Sequence, residues 1–163
     1  MPLMKRFGLD PAGVGAGVVA AYGTKLALLF VIVQYRIFFT SNPPDIQFFN
    51  PDSVVSDLPF ASLILHGALV LGALVGGYVG ATYWHKKPFM TGVAVGAVLG
   101  GIQVCNAIIR SVRLADFAWE YMVAAVAVFL AALFGARIGE LRRVSWERQC
   151  EKLDPWKQKP SDQ

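Results

Sequence analysis

Four long apolar stretches, at residues 12–39, 58–84, 89–109 and 117–141, leave this chain few folds to choose from. Each reaches the roughly 20 residues that a helix rising ~1.5 Å per residue needs to cross ~30 Å of hydrocarbon. Lipid offers no partners to backbone N–H and C=O groups, so a spanning segment is either a helix or a strand of a closed barrel. Barrel strands would alternate in polarity over about ten residues, and no such pattern occurs. With 55% hydrophobic and 16% charged residues in 163, the chain lacks the polar surface to dissolve in water. The expected fold is an all-α integral membrane protein: a bundle of four transmembrane helices over residues 1–141, then a basic tail over 142–163. The first stretch is too long for the apolar part of a signal peptide and contains Lys25, so it reads as a retained helix.

Basic residues set the orientation. Lys5 and Arg6 precede the first stretch, Lys86 and Lys87 join the second to the third, and Arg142, Arg143, Arg148, Lys152, Lys157 and Lys159 follow the fourth. These ends belong on the cytoplasmic side, whereas the connection carrying Asp45, Asp52 and Asp57 without any Lys or Arg belongs outside. Both termini are then cytoplasmic. Arg110 and Arg113, in the short link before the fourth stretch, fall outside and oppose the rule, leaving a segment that dips without crossing as the alternative.

Helix ends carry their own chemistry. Asp10-Pro11 reads as an N-cap and first helical position, Asp57 and Asp116 are further caps, and Pro88 closes a tight turn that makes helices two and three antiparallel neighbours. Beyond Leu141, the segment LRRVSWERQCEKL is compatible with a helix continuing into water until Pro155. Cys105 and Cys150 lie in such different settings that both are expected to be free thiols.

Small residues recur at every third or fourth position: Gly13, Gly17 and Ala21, then Ala68, Gly72, Gly76 and Gly80, then Gly92, Gly96 and Gly100, and finally Ala124, Ala127, Ala131, Gly135 and Gly139. Lipid supplies no hydrophobic force between helices, so their association rests on close backbone approach, which such flat faces permit. A Gly/Ala-packed bundle or oligomer follows.

The few polar residues inside these stretches, Lys25, His66, Gln103, Asn106, Arg110 and Glu120, form a candidate intramembrane polar site. Lipid exposure of charged groups costs several kcal/mol, so each should turn toward a packed side. Arg110 and Glu120 stand near the same outer level and could pair, whereas Lys25 lies roughly 20 Å from the end of the first stretch with no carboxylate at its depth. Gln103 and Asn106 suit interhelical hydrogen bonding.

No phosphate-binding glycine loop, nucleophile elbow or paired-histidine motif is present, so no enzyme, metal site or cofactor is expected. The net charge of +4 comes from membrane flanks and makes no case for nucleic acid. The sequence-based expectation is a small non-enzymatic subunit, scaffold or assembly partner in a bacterial cytoplasmic (inner) membrane, its partners being the bilayer and other membrane subunits or further copies of itself. The alternative is a small oligomeric transporter or channel with a polar path around Lys25.

Overall fold

A computed structural model describes residues 11–39, 61–83, 88–114 and 119–153, without the side chains of 36–39, 83, 110–114 and 151–153. All the described residues are helical: α1 Pro11–Phe39, α2 Ala61–Tyr83, α3 Pro88–Leu114 and α4 Trp119–Leu153. Each helix is long and apolar enough to cross a membrane. Pro11 and Pro88 open α1 and α3, where a missing N–H removes nothing, because the first backbone donors of a helix have no partner within it. The expected caps Asp10, Asp57 and Asp116 lie outside the described residues.

Helix α3 continues past residue 109 to Leu114, and α4 continues past 141 to Leu153. With 35 residues, α4 is about 52 Å long, well over the ~30 Å of a hydrocarbon core. Its last turns are a polar stem, as the composition after Leu141 suggests.

The helices alternate in direction. Gly17 faces Gly76 while Gly80 faces Gly13, so α1 and α2 run antiparallel; Gly92 faces Ala136 while Gly100 faces Ala125, so α3 and α4 do as well. Around the bundle the order is α1, α2, α4, α3, with the parallel pair α2 and α4 in broad contact and α2 meeting α3 over a smaller area. Helices α2 and α3 are therefore antiparallel, as the short link requires, but α3 is not the principal neighbour of α2.

The reason lies in α2 itself, which has small residues on two sides. Gly72 and Gly76 pass against the backbone of α1, while Gly77 passes so close to α4 that a Cβ there would overlap the carbonyl oxygen of Ala132. Gly135 of α4 returns the contact, its missing Cβ lying against the Leu74 carbonyl. Only glycine allows backbones to meet at this distance.

All eight glycines singled out in the sequence, Gly72, Gly76, Gly80, Gly92, Gly96, Gly100, Gly135 and Gly139, are buried. On α4 the inward stripe is Ala125, Val128, Ala132 and Ala136, which leaves Ala127 and Ala131 half-buried at its edge. The core joins Val14, Ala21, Leu69, Ala73, Val95, Leu99, Val128 and Ala132. Outside it, Phe30, Leu63, Val126, Leu130 and Phe134 are well exposed, an apolar surface far too extensive for a water-soluble monomer.

Candidate functional site

The best-connected polar cluster sits where α2 and α4 begin. Ser62 and His66 are one turn apart on α2, and Glu120 is the second residue of α4. Because the two helices run parallel, their first turns lie side by side, and Ser62 Oγ donates a hydrogen bond to Glu120 Oε2 at 2.7 Å. His66 Nδ1 lies 2.8 Å from the Ser62 carbonyl oxygen and 3.2 Å from Ser62 Oγ. The Tyr121 ring packs edge-on against the imidazole, with centroids 5.0 Å apart and planes at 87°.

The proton assignment follows from the acceptors. A carbonyl oxygen only accepts, so Nδ1 carries a proton and shares it between the Ser62 carbonyl and Oγ. The single hydroxyl proton of Ser62 then goes to the carboxylate. The result is a directed chain from His66 through Ser62 to Glu120, which ties α2 to α4 and can pass a proton along itself. It is not a nucleophile-activating arrangement of the Ser-His type, because the imidazole nitrogen beside Oγ is a donor there and not a base.

This geometry reapportions the residues singled out in the sequence. Glu120 and His66 come together, and the residue that connects them, Ser62, was not among the candidates. Its signal was the spacing of four to His66, which places both on one face of α2. Arg110 falls on α3, and its side chain, with the expected pairing to Glu120, lies outside the described residues.

Gln103 is 6% exposed and continues the buried stripe of Val95, Leu99 and Ala107 at every fourth residue of α3. Asn106 is exposed instead, and so does not join the packed face. At 100° per residue it is turned about 60° from Gln103, on the side away from Ala107. Lys25 is half-buried in the middle of α1 and has an interaction partner, so it is not the isolated buried charge that the sequence alone suggests.

The opposite end of the bundle is basic. Arg137 pairs with Glu140 at 2.6 Å and Arg143 with Glu147 at 3.4 Å, both within α4. Arg142 instead reaches across to α2, where Nη1 donates to the Tyr78 hydroxyl and Cζ stands 6.0 Å from the ring centroid. Cys105 and Cys150 are free and exposed. Among the described residues, no three His, Cys, Asp or Glu side chains stand close enough to hold a metal ion.

A groove of about 280 Å³ runs between α3 and α4 on the outer surface, floored by Gly96, Gly100 and Gly101 and walled by Met122, Val126 and Phe129. Its lining is apolar.

No protein family, curated protein or solved structure matches this chain.

Proposed function

We propose that the chain is a non-enzymatic integral membrane protein, crossing four times with both termini cytoplasmic, that serves as a subunit, scaffold or assembly partner of a larger membrane complex. Within it, rows of small residues hold the four helices together. Its expected location is a bacterial cytoplasmic membrane, with the basic ends of α1 and α4 and the Lys86-Lys87 link inside.

The observation that carries this reading is what the bundle leaves unused. Most glycines are consumed by contacts between helices, yet Gly15 and Gly23 on α1, Gly67 on α2 and Gly101 on α3 would meet nothing within 4 Å if given a side chain. Glycine weakens a helix by up to ~1 kcal/mol relative to alanine, so an outward glycine without a neighbour is a liability unless another helix approaches it. Helix α1 is the least covered, with 17% of its spanning window buried against 39% in each of the others. That makes it the surface most in need of a partner. Purification in mild detergent, followed by identification of co-purifying proteins and of the particle mass, tests the reading; a monodisperse single chain with no partner would overturn it.

A transport reading has one observation in its favour. The polar chain from His66 to Glu120 at one end, with half-buried Lys25 midway along α1, provides two stations of a polar path. Solute or proton flux into liposomes containing the purified protein, lost in Lys25→Ala, would establish it, and flux no greater than that of empty liposomes would remove it. The described core speaks for the first reading, since Thr91 and Gln103 are its only buried polar side chains.

A further inference from the structure

Three arginines stand where α4 leaves the span, and they are not equivalent. Arg137 and Arg143 each face a carboxylate of their own helix, Glu140 and Glu147. Arg142 is exposed and is held by a neutral group, the phenol of Tyr78 on α2, so its charge stays uncompensated among the described residues. The hydrogen bond has one possible polarity, because a guanidinium has no acceptor: Arg142 gives and Tyr78 Oη takes. The phenolic proton therefore remains to be donated, and so do the other guanidinium N–H groups. Two donors of different helices thus share one point, and among the described residues no acceptor takes them up.

The depth of this point narrows the choice of acceptor. Arg142 is about 34 Å along α4 from Trp119, just beyond the ~30 Å of a hydrocarbon core, and so at the level of phospholipid headgroups. Pinning by Tyr78 restricts the side chain before any ligand arrives and lowers the ordering cost of binding. A phosphate, with two or more oxygens at fixed spacing, matches a guanidinium fork and leaves an oxygen for the phenol.

We propose that Arg142 and Tyr78 form a phosphate-binding site, and that its ligand is the headgroup phosphate of an anionic phospholipid. The site is built across α2 and α4, so a bound lipid reinforces the parallel contact between them at the end opposite the Ser62–Glu120 link.

The test is native mass spectrometry of the full-length protein released from detergent, titrated with phosphatidylglycerol, phosphatidylcholine or inorganic phosphate. Wild type retains phosphatidylglycerol in preference to phosphatidylcholine. Arg142→Gln weakens that retention about five- to tenfold, as expected for one surface charge and its hydrogen bonds, and Tyr78→Phe weakens it by a smaller factor. Arg148→Gln, which removes an exposed arginine further along the same stem, leaves it unchanged. Retention of inorganic phosphate with the same dependence on Arg142 and Tyr78 also supports the site, and then assigns it to a soluble anion. Retention of phosphatidylglycerol that is indifferent to Arg142→Gln, or equally lowered by Arg148→Gln, overturns the proposal. Unchanged helical circular dichroism in each variant separates loss of the site from loss of the fold.

Discussion

Ser62 of α2 and Glu120 of α4 meet at 2.7 Å, although 58 positions separate them in the sequence. The contact exists because α2 and α4 run parallel and start at the same end of the bundle, which puts their first turns in register. It is a charge-assisted hydrogen bond at an exposed position, backed by His66 from the next turn of α2.

A double-mutant cycle with Ser62→Ala and Glu120→Gln should therefore show coupling. The expected interaction energy is about 0.5–1.5 kcal/mol, read from unfolding in mixed detergent, and Asn106→Ala should not couple to either residue. Coupling below ~0.2 kcal/mol would mean that solvent competes the bond away and that at this end α2 and α4 are held by packing alone.

Glycine substitutions should divide sharply by position. Gly77→Leu places a side chain into the Ala132 carbonyl, so α2 and α4 must separate, and a loss of about 1–3 kcal/mol or more is expected. Gly23→Leu points into open space and should leave the thermal midpoint of the isolated chain unchanged or slightly higher. Equal destabilisation by both would contradict the helix arrangement described here.

That four helices are long and apolar enough to span a membrane, with their approximate limits and most of their buried glycines, was legible in the sequence, since length and hydropathy fix a spanning helix and small residues reveal its close contacts. Helix order around the bundle was not. Gly76 and Gly77 are adjacent and face different partners, a distinction that a fourfold spacing rule applied to one row cannot make. The polar site was half legible for a similar reason. His66 and Glu120 stand out as rare ionisable residues in apolar stretches, whereas Ser62 is an ordinary residue that acquires its role only when α4 arrives beside it. Asn106 shows the converse: its proximity to Gln103 in sequence suggested a shared face, but the α3 stripe passes through residue 107.

Gln103 offers a test of how dry the interior is. It is nearly buried, and among the described residues no hydrogen bond from another side chain reaches it. Gln103→Leu should then be neutral or stabilising by up to about 1 kcal/mol in a thermal melt, because an apolar group of similar volume replaces the amide without breaking a side-chain hydrogen bond to any described residue. Marked destabilisation would point to a water or a second chain bonded to that amide.

The two cysteines report on membrane placement. Both are exposed, but Cys105 lies within the spanning part of α3 and Cys150 on the stem of α4. A charged, impermeant maleimide should label Cys150 only when the cytoplasmic face is open and should not label Cys105 from either side, because a charged reagent does not enter the hydrocarbon that an exposed residue of the span faces. Labelling of Cys150 in intact cells would reverse the proposed orientation.

The central claim, assembly through the outward glycines of α1, is tested most directly by the mass of the particle in mild detergent or nanodiscs. The account predicts a complex heavier than the 17.7 kDa chain, formed with copies of itself or with co-purifying subunits. In Gly15→Leu with Gly23→Leu it should fall to the single chain without any loss of thermal stability. A wild-type particle of one chain, with the same mass in the double variant, would contradict it.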